Sequence, residues 1–269
     1  MKASLIAAIF IVFTFFSCDH GNTRPTEKKD IATLDTVKRD SAANKNPIEE
    51  ILKTIPDNIK PVMGYRFIIE GDFDGNGKRD TLTEHFFSGL DNKETNKFYD
   101  SLPEYDQLVA LTVKKDPFSF VTANDPLIDT LHISSGGQLL GLSYLKNEGD
   151  LNGDGGDEIS YVVNWADWSN LNTWNIMTYK DHQWKELYSF PIWDWQLPDL
   201  PQTFSQYGSF GLENKIVNST NDTANLQIEK TLHDFKGLVK KIGTNRIQIT
   251  YRSDEAEEVK KIVNLKKVK

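Results

Sequence analysis

The feature that most restricts how this chain can fold is a ten-residue acidic segment that occurs twice. Gly71-Asp72-Phe73-Asp74-Gly75-Asn76-Gly77-Lys78-Arg79-Asp80 is answered by Gly149-Asp150-Leu151-Asn152-Gly153-Asp154-Gly155-Gly156-Asp157-Glu158. Counted from the first Asp, positions 1, 3, 5 and 9 carry oxygen side chains and position 6 is Gly in both copies. Alternate residues of a tightly curled loop point inward, so Asp72, Asp74, Asn76 and Asp80 form one oxygen set and Asp150, Asn152, Asp154 and Glu158 another. Gly77 and Gly155 permit the sharp turn that brings in the backbone carbonyl of position 7, Lys78 or Gly156. Phe73 and Leu151 then point the other way and fasten each loop to a core. Three carboxylates per loop repel one another without a cation among them. An all-oxygen set suits Ca²⁺, which takes six to eight oxygens at roughly 2.3–2.6 Å. Two structural calcium ions are therefore expected. The competing reading is a pair of acidic hairpin turns that bind nothing, since Asp, Asn and Gly are ordinary turn residues.

The loops are not EF-hands, because position 12 is Thr83 in one and Tyr161 in the other, where a bidentate Glu is needed. The flanks read as strands. The pattern resembles the calcium loop of FG-GAP and VCBS repeats, found in integrin-alpha propellers and many bacterial surface proteins. The resemblance implies the ligands named above, with Glu158 in place of the usual Asp and Asp157 as an extra contact. Propeller blades recur every 40–50 residues or so, whereas these loops lie 78 residues apart and number two. A complete propeller is thus the less favoured architecture. At extracellular-type affinities, millimolar calcium would stabilise the fold by roughly 0.4–1.4 kcal/mol per site, a structural contribution and not a switch.

Elsewhere the chain reads as strands. Tyr65 to Ile69, Leu108 to Val113, Ile159 to Val163 and Ile247 to Tyr251 are β-branched and aromatic runs bounded by turn residues. Trp174 to Phe190 predicts a hairpin turning at Lys180-Asp181-His182-Gln183. Val239–Ile242, Ile247–Tyr251 and Val259–Leu265 predict a closing meander. Asn46-Pro47-Ile48-Glu49 predicts a helix start, with Asn as cap and Pro in the first turn, ending near Ile55-Pro56. The expected class is mainly β, with antiparallel sheets, hairpins and one or two short helices, over a domain spanning 47–269.

The N-terminus points to location. Lys2 is followed by an apolar run from Leu5 to Phe16 and then Ser17-Cys18. The run is shorter than the ~20 residues of a spanning helix and matches the apolar region of a secretory signal. A small residue followed by Cys resembles the lipobox of bacterial lipoproteins, with Phe15 and Phe16 departing from its commonest form. The resemblance implies cleavage after residue 17, lipidation of Cys18, and residence in the cell envelope. The outer membrane or cell surface is favoured, although Asp19 resembles an inner-membrane retention signal. Cys18 is the sole Cys, so lipidation leaves an exported chain without free thiols. Residues 19–46 contain no aromatic side chain and read as a tether.

A net charge of −8 argues against nucleic acid as a partner; the expected partners are the membrane, through the lipid, and a glycan or protein. The six Trp all lie between Trp165 and Trp195. Trp165, Asp167, Trp168, Trp193, Asp194 and Trp195 are the candidate ligand-binding residues, aromatic faces beside carboxylates being suited to sugars; core packing is the competing reading. No zinc helix, nucleophile elbow or P-loop is present. A non-enzymatic binding or accessory role is expected. The alternative is a hydrolase of envelope glycans or polysaccharide that uses Asp167 and Asp194 as a carboxylate pair.

Overall fold

The computed structural model describes residues 46–100, 102–167, 169–198, 200 and 222–265, which belong to one compact unit, Asn44–Lys269. Cys18, the leader, nearly all of the tether and Trp168 lie outside the described residues. The fold is mainly β, with every strand pairing antiparallel.

Helix α1 (Pro47–Leu52) starts where its cap requires: the Asn46 Oδ1 accepts from the Ile48 N–H at 3.1 Å and Pro stands in the first turn. It ends earlier than the expected Ile55-Pro56. A five-stranded sheet follows, ordered β2 (Ile68–Gly71), β3 (Asp80–Ser88), β6 (Pro117–Ala123) and β7 (Leu131–Ser135), with β4 (Lys93–Glu94) beside β3. Strand β3 alternates buried and half-buried along its length, the period-2 signature of a sheet with one covered face. Its outer face carries His85 and Phe87 opposite Phe120 and Phe118. The inner face packs against the four-stranded sheet β8 (Leu139–Gly149), β9 (Glu158–Trp165), β10 (Leu171–Lys180) and β11 (Gln183–Trp193). Phe67, Leu82, Val121 and Leu131 meet Leu142, Leu145, Ile159 and Tyr179 there.

The other face of the four-stranded sheet, with Tyr144, Trp174, Ile176 and Ile192, packs against the closing meander β12 (Val239–Gly243), β13 (Arg246–Arg252) and β14 (Glu258–Asn264). The four-stranded sheet is thus a middle layer covered on both sides. That position explains why β9 is buried almost continuously and does not alternate. The described sheets have unequal strand numbers and do not repeat a four-stranded blade. The predicted hairpin is β10–β11, with Lys180 opposite Gln183. Asp181 and His182 both take positive φ, 53° and 59°, as a two-residue turn matched to strand twist demands.

One expectation is corrected. Leu108 to Val113, read as a strand, lies in helix α2 (Tyr105–Lys115). Its β-branched residues suggested a strand, but Gln107, Leu108, Ala110 and Thr112 are buried on a helical surface and Lys114-Lys115 complement the helix C-terminus. Helix α3 (Asp222–Asp234) adds a third α-helix to the described residues. A short pair, β1 (Lys60–Val62) with β5 (Phe98–Asp100), completes the fold. Lys97 and Glu84 form an ion pair at 2.6 Å with neither side chain exposed. Two backbone N–H groups, of Phe67 and Leu142, also donate to Glu84. Among the described residues no helix is long and apolar enough to cross a membrane.

Candidate metal centre

Each acidic segment is the turn of a strand hairpin: residues 72–79 join β2 to β3, and residues 150–157 join β8 to β9. We call them loop 1 and loop 2. They share a backbone course. Gly77 and Gly155, at position 6, take φ of +82° and +100°, and a Cβ on either would meet nothing within 4 Å. The requirement for Gly there is therefore conformational and not one of space. Phe73 and Leu151 are buried at 0% and 1% exposure, Phe73 in the core between the five- and four-stranded sheets and Leu151 in the core on the far side of the four-stranded sheet.

In loop 1 the acidic side chains converge. Asp72, Asp74 and Asp80 each offer a carboxylate oxygen, all within 4.8 Å of one another, the one such grouping of acids, His or Cys among the described residues. The loop is wound around them: the Gly77 N–H donates to Asp72 Oδ2 at 2.8 Å, the Asn76 N–H to Asp74 Oδ1 at 3.1 Å, and the Lys78 N–H to Asn76 Oδ1 at 2.8 Å. Asp80 is 4% exposed, and burial together with the Asp74 charge raises its pKa above the usual carboxylate value. Its Oδ2 and the Asp72 Oδ1 are buried with no hydrogen-bond partner. Buried carboxylate oxygens without donors, beside other carboxylates, are costly alone and fit a hard cation. The acidic triad can hold a metal ion.

In loop 2 the equivalent groups are spent on hydrogen bonds. Glu158 is fully buried, and its Oε2 accepts from the N–H groups of Leu151 at 2.6 Å and Asn152 at 3.1 Å. Its Oε1 accepts from the Asn152 side-chain amide at 2.7 Å. Burial pushes this carboxyl up to about 7. Asp154 Oδ2 lies 3.4 Å from the Lys180 Nζ, and Lys241 donates to the Asp150 carbonyl. Asp150 Oδ1 accepts from the Gly153 N–H, while the Gly156 N–H donates to Asp154.

Asp157, read as an extra contact for loop 2, instead faces loop 1. Its Oδ2 accepts from the Asp72 N–H at 3.1 Å, and its own N–H donates to the Asp72 carbonyl at 2.7 Å. Asn147, Lys180 and Lys241 also touch the loops and were not anticipated; no local pattern marks residues that reach a loop from another strand.

The described Trp residues do not form one site. Trp174 is fully buried and donates to Ser160 at 2.9 Å. Trp184 packs on Tyr179, and Trp165 on the Phe86, Leu139 and Val163 cluster. Trp193 is half-buried and donates to the Ser253 carbonyl at 3.2 Å. Trp195, 47% exposed, lines a groove of about 200 Å³ with Leu238, Thr250, Tyr251, Arg252 and Glu258. Asp194 follows β11 in a short 3-10 turn, Asp194–Gln196. Burial pushes its carboxyl up to about 6, the Asn172 amide opposing and the Asp167 charge adding to the shift. Asp167 and Asp194 therefore share one corner of the fold, where the Tyr105 hydroxyl donates to the Asp167 carbonyl at 2.6 Å.

Comparison of the chain with family models, with curated proteins and with solved structures finds no match.

Proposed function

We propose that this is a lipid-anchored bacterial cell-envelope protein whose β domain is stabilised by calcium and serves a binding or accessory role. The observation that carries the calcium reading is the convergence of Asp72, Asp74 and Asp80 around buried, unpartnered oxygens. Asn76 and the Lys78 carbonyl would complete the shell. Calcium is preferred over softer metals because the set is all oxygen. Loop 2 carries the same pattern and would take a second, weaker ion, since Glu158 must first give up its bonds. Thermal melts in millimolar calcium and in chelator test the reading: the midpoint rises with calcium, and coincident midpoints with no binding heat would reject it. The anchor is tested by Cys18→Ser, which should release the protein from membranes after a salt wash; retention would reject lipidation.

The second reading is a glycan ligand, acted on by a hydrolase or simply held. It is favoured by the exposed Trp195 in a groove that also offers Thr250, Arg252 and Glu258. Trp fluorescence titrated with soluble envelope oligosaccharides tests it: binding that Trp195→Ala abolishes supports a glycan site, and no change with any of them rejects it.

A further inference from the structure

Loop 2 is joined to loop 1 through the first ligand position. The Asp72 peptide is gripped on both sides by one residue, its N–H by the Asp157 carboxylate and its carbonyl by the Asp157 N–H. Asp157 is in turn fixed by Asn147, whose side-chain amide donates to Asp157 Oδ2 at 2.8 Å and to the Glu70 carbonyl at 2.9 Å. The Asn147 Oδ1 accepts from the Gly149 N–H at 2.7 Å. The approach is close enough to dictate residue type. A Cβ on Gly71 would fall 2.3 Å from the Asn147 amide nitrogen and 2.7 Å from Asp157 Oδ2. A Cβ on Gly156 would fall 3.0 Å from the Phe73 carbonyl oxygen.

This clasp leaves the Asp72 side chain free for an ion. Its Oδ2 is oriented by the Gly77 N–H, and its Oδ1 is buried without a partner. The second, independent mark of the site is Asp80, 4% exposed with an unpartnered Oδ2. A ligand whose main chain is already held loses less freedom when it binds. Outer-shell groups that fix metal ligands matter nearly as much as the ligands themselves.

We infer that Asp157 is a positioning residue for a cation in loop 1, so that loop 2 sets the affinity of loop 1 through the Asp72 peptide. The inference rests on the calcium reading above and adds to it a regulation of that site from 85 residues away in sequence. Asp157 touches no ion in this scheme. It acts through the backbone, and Asn, which keeps an acceptor oxygen in the same place, can substitute for it.

The test is a calorimetric titration of CaCl₂ into the chelator-stripped full chain for the wild type, Asp157→Ala, Asp157→Asn and the ligand control Asp74→Ala, alongside melts in chelator. Asp157→Ala should weaken calcium binding by about 10-fold or more, while Asp157→Asn stays within about threefold of the wild type. A merely structural role would lower the chelator melting midpoint of Asp157→Ala and leave its Kd unchanged, which would overturn the inference while calcium binding itself stands. A wild type that takes up no calcium would overturn the calcium reading and this inference together. Should Asp157→Ala fail to fold, Asn147→Ala loosens the same carboxylate without substituting any residue of either loop. It should weaken binding in the same direction, and an unchanged Kd would overturn the inference.

Discussion

Loops 1 and 2 place oxygen side chains and Gly at the same positions on the same kind of hairpin, yet their acids end in different surroundings. In loop 1 three carboxylates point at one another and leave buried oxygens without donors. Loop N–H groups donate to carboxylates in both loops, but in loop 2 both Glu158 oxygens have donors and a lysine lies beside Asp154. The clearest difference lies at position 9. There both oxygens of Glu158 have donors, the N–H groups of Leu151 and Asn152 and the Asn152 side-chain amide, whereas Asp80, which also accepts from the Phe73 backbone, keeps its Oδ2 without a partner. The comparison teaches that two loops with one ligand pattern can differ in whether their position 9 carboxylate is satisfied by hydrogen bonds.

The largest effects should come from the anchors the loops share. Phe73→Ala is expected to cost about 3–5 kcal/mol and Leu151→Ala about 2–5 kcal/mol in urea unfolding, because both side chains are buried and leave cavities. A loop whose anchor could be truncated for nothing would not be held by its core. The position 9 residues should then differ in sign. In chelator, Glu158→Ala leaves the Leu151 and Asn152 N–H groups without their acceptor and should destabilise by about 1–3 kcal/mol. Asp80→Asn removes one of three mutually repelling carboxylates and should be neutral or stabilising in chelator, while abolishing any rise of the melting midpoint with calcium. Equal losses for both variants would erase the distinction between the loops. Calcium itself should stabilise the wild type by roughly 0.4–1.4 kcal/mol per site at millimolar concentration, read as a modest shift in midpoint. The smallest effect belongs to Lys180→Ala. Its contact with Asp154 is partly exposed at 3.4 Å and should be worth less than about 1 kcal/mol.

Much of this was legible locally. The strand–loop–strand context, the inward Phe73 and Leu151, the Asn46 cap and the hairpin turn at Asp181-His182 all follow from spacing and residue type. What escaped had a cause outside the local window. Val109, Thr112 and Val113 favour strands in isolation, but a buried helical face and a lysine-rich C-terminus keep them in α2. The clasp between Asp72 and Asp157 joins residues 85 apart in sequence, and nothing in either segment announces it. The described Trp residues divide between core and surface by their place in the fold, Trp174 inward on β10 and Trp195 in the 3-10 turn after β11, so a shared composition could not show that Trp174 is enclosed and Trp195 open.

The central claim is that loop 1 is the ion site and loop 2 its self-satisfied counterpart. A crystal structure of the full chain grown in millimolar calcium tests it most directly. The account predicts an ion in loop 1 bound by Asp72, Asp74 and Asp80 at about 2.3–2.6 Å, with any second ion in loop 2 at lower occupancy. An empty loop 1, or an ion held in loop 2 alone, would contradict it.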